Sequence, residues 1–320
     1  MMVIIINIER FMLKFIDTVY PKVNERISFT NNYVFENRSN NKDSLCIILA
    51  GYKEFLWDNI FDRIYRFSED TIDICIVSSG LYSEKLSKIA EEYGWSYIST
   101  KRNSITQAQN TAIKLFPKAN YIYKLDEDIF ITKNFFKTLK NTYEYVQNEG
   151  EYDVGFVAPI LPINGYSHVV LLKRLNLINY YDKHFEKVKY ATGDHRMIEN
   201  NPDVAKFMWG DGKNAMIPHI DDINEMLQNS PLSYSAVPIR FSIGAILFHR
   251  NLWENMKYFK VRLGIGLGLD ERQICTYCMI NSKAMIVSEN SCVGHLGFQK
   301  QNEDMKNYYL NNPQRFEIKD

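Results

Sequence analysis

Three consecutive carboxylates, Asp126, Glu127 and Asp128, close a mostly apolar, β-leaning run that begins at Asn120. Side chains of an extended strand alternate between faces, so the spacing puts Asp126 and Asp128 on one face and Glu127 on the other. Two carboxylates at the carboxyl end of a buried strand suit a hard divalent cation. Such an ion prefers oxygen ligands and keeps water and a substrate phosphate in its remaining positions. An acidic turn that merely ends a strand has the same composition, and the run alone is compatible with both. A second acidic pair, Asp270-Glu271, follows a loop containing Gly264, Gly266 and Gly268 and opens a predicted helix. A carboxylate there can serve as a general base or simply complement the helix dipole. The three glycines lack the spacing and the leading strand of a dinucleotide fingerprint; a loop that closes over substrate fits them better.

The elements that position these residues follow from the hydrophobic pattern. Leu45–Ala50 is a short apolar run closing on Gly51, read as a buried strand. A helix is predicted over about 54–67, a strand over Ile72–Val77 ending at Ser78-Ser79-Gly80, and a helix over about 83–93. A short strand near Trp95–Ser99 and a helix from about 104 to 116 precede the acidic strand. Strands alternating with helices imply a parallel sheet, and ligands sit beyond the carboxyl ends of such strands. That gathers Ala50-Gly51-Tyr52, Ser78-Ser79 and Asp126–Asp128 around one crevice.

Residues 161–236 break the rhythm and read as a largely helical insertion. Leu171, Leu172, Leu175 and Ile178 suggest one helix. Asn201-Pro202 reads as an N-cap with proline in the first turn, and His219–Leu227 as a further helix. Regular structure resumes with a strand over Ile239–Phe248, a helix from Leu252, a helix over about 270–281 and a strand over Ala284–Ser288. The expected division is 1–43 (amphipathic helix and linker), 44–160, 161–236 and 237–320. Lys173, Arg174, Lys183, His184, Lys187 and Lys189 form a basic face in the insertion, either solvated or turned to an anionic acceptor or lipid headgroups. Phe207-Met208-Trp209 suits core packing or stacking on a sugar.

The 320 residues can bury a large core, and 46% hydrophobic with 24% charged residues is ordinary globular composition. Lys+Arg 38 balances Asp+Glu 38, so the whole chain exerts no long-range pull on nucleic acid. Five cysteines without a secretory leader argue for a reducing compartment, and the expected location is the cytoplasm. Ile8, Phe11, Met12, Phe15, Ile16 and Val19 recur at helical spacing ahead of Pro21. That stripe can dock on its own domain, meet a partner, or lie peripherally at the inner face of a membrane. Cys275, Cys278, Cys292 and His295 have the residue types of a structural zinc set, but the first two fall in an apolar helix, where cysteines act as small hydrophobes.

Together these motifs resemble those of the family 2 glycosyltransferases, which adopt the GT-A fold. Ile47–Tyr52 resembles their first strand and nucleotide loop, Arg102–Asn110 their helix motif, and Leu125–Asp128 their DxD motif. Phe241–Arg250 is similar to their acceptor-side segment, and Gly266–Glu271 to their glycine-rich loop and acidic pair. The resemblance covers roughly 45–160 and 237–300. Ser78 and Ser79 stand where members often carry acidic residues, and Ser104 and Gln109 replace a usual glycine and arginine.

The resemblance implies a Rossmann-like α/β fold with a mixed, mainly parallel central sheet flanked by helices. It also implies a glycosyltransferase that moves a sugar from a nucleotide-diphosphate sugar, expected to be a UDP-sugar, to a hydroxyl of a glycan or lipid-linked acceptor, with inversion. Ala50, Gly51, Tyr52, Ser79, Arg102, Gln109, Asp126 and Glu127 are the expected nucleotide-sugar contacts. Asp126, Asp128 and, by the same resemblance, His295 are the expected ligands of Mn2+ or Mg2+, with Asp270 or Glu271 as base. Polysaccharide biosynthesis is the expected setting. The rivals are a sugar-1-phosphate nucleotidyltransferase, whose Arg- and Lys-bearing glycine loop is not matched by Ala50–Glu54, and a non-catalytic nucleotide-sugar or glycan-binding module.

Overall fold

The computed structural model of the chain describes residues 26–192, 196–212, 215–261 and 269–319. The stripe over residues 4–20 and the glycine loop 264–268 lie outside the described residues. The strands are β1 Tyr33–Glu36, β2 Ser44–Leu49, β3 Ile72–Ser79, β4 Ser96–Thr100, β5 Tyr121–Asp126, β6 Ile129–Phe130, β7 Val154–Ile160, β8 Tyr234–Ala236, β9 Ala245–His249, β10 Ala284–Cys292 and β11 Gly294–His295. Among the described residues they form a nine-stranded sheet in the order β1-β4-β3-β2-β5-β9-β7-β10-β8 and a two-stranded ribbon of β6 and β11. From the pairings, β2, β3, β4, β5, β7 and β10 run one way and β1, β8 and β9 the other. The architecture is thus mixed α/β with a mainly parallel sheet.

The central strands are apolar because helices cover both faces of the sheet. Every residue of β2 and of β7 is buried. Helices Trp57–Phe67, Glu84–Glu92 and Ile105–Leu115 supply the crossovers that parallel neighbours require. The chain builds β2, β3 and β4 outward, then returns to lay β5 on the other side of β2. The strand order therefore reverses between β2 and β5, the position at which an open α/β sheet leaves a crevice.

Four expectations change. The linker expected within residues 1–43 includes β1, which pairs antiparallel with β4 from Tyr33↔Thr100 to Glu36↔Tyr97. The leucine stripe of the insertion is broken into Ser167–Arg174 and Ile178–His184, because Asn176 adopts φ 57 between them. The run 239–248 is strand only over Ala245–His249. Val237 N still bonds Met285 O at the sheet edge, whereas Asp126 N bonds Gly244 O near its centre, so the residues between must cross from one to the other and cannot pair. Last, β10 extends to Cys292.

The insertion has helices Ser167–Arg174, Ile178–His184, Arg196–Asn200, Pro202–Met208 and Ile220–Gln228 and contributes β8 to the sheet edge. Asn201 caps its helix through Asp203 N at 2.9 Å, with Pro202 in the first turn. Trp209 and Met208 are core residues. Of the basic face, Lys173, Lys183, Lys187 and Lys189 are exposed, while Arg174 pairs with Glu289 at 2.5 Å. No helix among the described residues is long and apolar enough to cross a membrane.

A single buried cation ties these parts together. Arg63, fully buried on helix Trp57–Phe67, forks onto Asp221 at 2.9 and 3.1 Å and donates to Ile131 O, Phe316 O and Glu317 O. It joins helix Trp57–Phe67 to the first turn of helix Ile220–Gln228 and to the C-terminal segment. Arg63→Met should leave Asp221 and three carbonyls without their partner and cost about 3–5 kcal/mol, read from the urea midpoint. An unchanged midpoint would show the network to be dispensable.

Candidate active site

The acidic run lies at the β2–β5 reversal. β5 ends at Asp126, opposite Leu49 of β2 in parallel register, and Glu127 and Asp128 form a turn before β6. The turn replaces the expected extended segment, so Asp126 and Asp128 are brought together by a bend rather than by strand alternation. Glu127 turns inward. Its carboxylate accepts from Gly51 N and Tyr52 N at 2.9 Å each and from Trp57 Nε1 at 2.8 Å. Expected as a nucleotide-sugar contact, Glu127 is instead buried and holds the loop after β2, because three donors from that loop and helix converge on it.

Each flanking aspartate faces a lysine. Lys124, on the same strand face as Asp126 and only 4% exposed, donates to Asp126 Oδ1 at 2.6 Å and to Ile243 O at 2.8 Å. Lys53 donates to Asp128 Oδ2 at 2.5 Å, and His295 Nε2 stands 3.5 Å from the same oxygen. Burial alone would push Asp128 up, but the charges of His295 and Lys53 hold it well below the ordinary carboxylate range. Burial pushes Asp126 up; Lys124 opposes this, while Asp128 and Asp270 add to it.

His295 is oriented from behind. Its strand β11 pairs with β6, His295 opposite Ile129. Nδ1 lies 2.8 Å from Ile163 O; a carbonyl only accepts, so Nδ1 carries a proton and Nε2 is the ring atom turned to Asp128. Against the Asp128 carboxylate, Nε2 either donates a proton or gives its lone pair to a cation lying between the two, and a backbone bond behind the ring is the usual support of a metal-ligating histidine. Among the described residues no group of three or more His, Cys, Asp or Glu side chains is placed to hold a metal ion. Asp128 and His295 by themselves would make a two-ligand, open site, of the kind that leaves positions for water and substrate phosphate.

The second acidic pair begins helix Asp270–Ile280. Gln109 Nε2 donates to Asp270 Oδ2 at 2.9 Å. Expected among the nucleotide-sugar contacts, Gln109 is fully buried and positions Asp270 instead. Glu271 pairs with Arg240 at 2.5 Å; burial nonetheless raises it, with Arg240 opposing and Asp270 assisting. The charge of Asp270 bears on Asp126 and that of Lys124 on Glu271, so the two acidic pairs lie within electrostatic reach of one another.

The remaining expected contacts line the other side. Ala50 is buried, Gly51 is exposed and Tyr52 is 76% exposed. Ser79 Oγ and Tyr52 Oη both donate to Asn103 Oδ1, at 3.2 and 3.3 Å, and Arg102 is exposed next to it. Asn103 packs so closely that a Cβ on Gly80, at φ +84, would come within 2.6 Å of its own Cβ. Asn103, Lys53 and Lys124 were not singled out from sequence. Only Lys124 carried a readable signal, a charge inside a buried strand two residues before an aspartate.

No family model matches the chain, and no curated protein is similar to it in sequence. Solved structures of glycosyltransferases are similar in fold. One is GalNAc-T7 with UDP, GalNAc and Mn2+, at 10% identity and TM-score 0.47, with 87% of this chain and 52% of that one covered. Another is the mannosyltransferase PcManGT from Pyrobaculum calidifontis with GDP-Man and Mn2+, at 13% identity and TM-score 0.46, covering 91% and 68%. The chain spans about half the length of the first.

Two outcomes follow from the support of Asp128 and His295. Because the Asp128 carboxylate is depressed in the fold, its ionised form contributes stability above its unfolded value near ~3.9 and loses it as pH falls toward the folded value. In EDTA, Asp128→Asn should therefore melt below wild type at pH 7, with the gap closing below about pH 4; a gap that does not vary with pH would refute the linkage. Gly294 faces Trp209, whose ring would lie 2.2 Å from an added Cβ. Gly294→Ala should cost about 1–3 kcal/mol by overpacking and displace His295, visible as a shifted imidazole resonance beside a lowered melting point.

Proposed function

We propose that the chain is a divalent-metal-dependent glycosyltransferase. It would move a sugar from a nucleotide-diphosphate sugar, in the first instance a UDP-sugar, to a hydroxyl of a glycan or lipid-linked acceptor, with inversion at the anomeric carbon. The observation that carries the reading is the placing of the Asp126–Asp128 turn and His295 together at the strand reversal, with Asp270 and Glu271 within electrostatic reach.

Asp128 and His295 would hold Mn2+ or Mg2+, which when bound supplies a Lewis acid for the departing diphosphate. Lys124 adds fixed positive charge beside Asp126, where preorganised electrostatics are worth most. The exposed ring of Tyr52 is free to stack on the base, and Ser79, Asn103 and Arg102 line that side of the cleft. Gln109 engages Asp270 Oδ2 and leaves Oδ1 for the acceptor. The hydroxyl oxygen bonds to the anomeric carbon as the bond to the diphosphate oxygen breaks, and its proton passes to Asp270 Oδ1. A lipid-linked acceptor at the inner membrane face would meet the exposed Lys173, Lys183, Lys187 and Lys189.

Asp128→Ala should abolish Mn2+-dependent nucleotide-sugar binding in a protein that stays folded. Asp270→Asn should lower transfer by at least about 10²-fold, the scale of a lost general base, with nucleotide-sugar affinity nearly unchanged. Wild-type transfer by both Asp270→Asn and Glu271→Gln across pH would place the base elsewhere.

A further inference from the structure

We infer that Lys53 is a displaceable counter-cation, bound to Asp128 until metal and diphosphate arrive together, and that it thereby couples the binding of the two. The inference rests on the reading of Asp128 as a metal ligand. Lys53 and His295 converge on one oxygen, Asp128 Oδ2, so an ion entering between Asp128 and His295 meets an ammonium already in contact with its carboxylate. A divalent ion and an ammonium cannot share that contact without strong repulsion.

The two lysines of the cleft differ in freedom. Lys124 sits in the middle of β5, is 4% exposed and has a second bond to Ile243 O. Lys53 lies in the loop after β2, is 20% exposed, and has no second side-chain partner among the described residues. Its backbone is not free to follow, because Glu127 pins the amides of Gly51 and Tyr52 and Lys53 O accepts from Leu56 N at 2.9 Å. The exchange is therefore a side-chain rotation. A diphosphate on a metal at Asp128 lies one ligand sphere away, within reach of the ammonium, which then passes from carboxylate to phosphate. Metal alone must displace Lys53 with nothing to receive it, whereas metal with diphosphate provides the replacement partner. Such coupling acts on both ligands equally.

The test uses Mn2+ alone, titrated against the full chain by the electron paramagnetic resonance of free Mn2+, with thermal melts confirming folding. Lys53→Met should bind Mn2+ at least about tenfold tighter than wild type, within the usual range of coupling between sites. Lys53→Arg, which keeps the charge, should bind it as wild type does. At saturating Mn2+, inorganic pyrophosphate should bind Lys53→Met more weakly than wild type. Unchanged or weaker Mn2+ binding by Lys53→Met, Lys53→Arg behaving like Lys53→Met, or equal pyrophosphate affinity would each overturn the inference. None of these measurements uses a sugar donor or an acceptor, so their failure leaves the proposed transfer standing, and a failure of transfer leaves them interpretable.

Discussion

A buried carboxylate without partners is among the costliest groups a fold can hold, and Glu127 meets that demand with two backbone amides and an indole N–H. Those three bonds join the turn after β5 to the loop after β2 and to helix Trp57–Phe67. Charge-assisted bonds of this kind are stronger than neutral ones, and here they fix the two loops that meet where the strand order reverses. The crevice is therefore held open by a side chain that does not face it. Asp126 and Asp128, on either side of Glu127, acquire their positions from the same turn.

The flanking aspartates are neutralised differently, and the difference sorts structure from chemistry. Lys124 is locked between a carboxylate and a carbonyl in the sheet interior, so the charge beside Asp126 is permanent. Lys53 and His295 approach Asp128 from a loop and from β11, and among the described residues no third ligating side chain joins them. An oxygen that a loop ammonium and a histidine ring nitrogen both face is suited to exchange one cation for another. Gln109 and Arg240 make the same division in the second acidic pair: Asp270 keeps one oxygen unengaged by Gln109, while Glu271 carries a salt bridge.

Much of the scaffold was legible in the sequence because the alternation of apolar runs and helices is a local signal. The runs at 45–50, 72–79 and 121–126 became adjacent parallel strands, and the acidic run did fall at the carboxyl end of β5. What escaped reading depends on pairing between distant residues. Tyr33–Glu36 is strand only because β4 presents an open edge to it. Residues 238–243 look like strand but must cross between sheet edge and centre. The inward turn of Glu127 depends on amides 75 and 76 residues away in sequence, and the burial of Gln109 against Asp270 spans 161. Residue type announced that chemistry was present; tertiary contacts decided which carboxylate faces the cleft.

The insertion belongs to the site rather than to its periphery, and two contacts make the case. Trp209, at the end of helix Pro202–Met208, donates to His295 O at 2.9 Å and fills the space that Gly294 leaves by having no side chain. Asp221, in helix Ile220–Gln228, receives the fork of Arg63, whose other donors hold Ile131, just after β6, and the C-terminal segment at Phe316 and Glu317. The ribbon of β6 and β11 that carries His295 is thus held by Trp209 at β11 and, just past β6, by Arg63, which Asp221 of the insertion engages in turn. Without Trp209 the carbonyl of His295 would lose its partner, and without Arg63 the turn after β6 would lose its anchor to helix Trp57–Phe67. A site built from few side chains depends on how rigidly those are held, and here part of the support of His295 comes from a segment the crossover pattern of the sheet does not require.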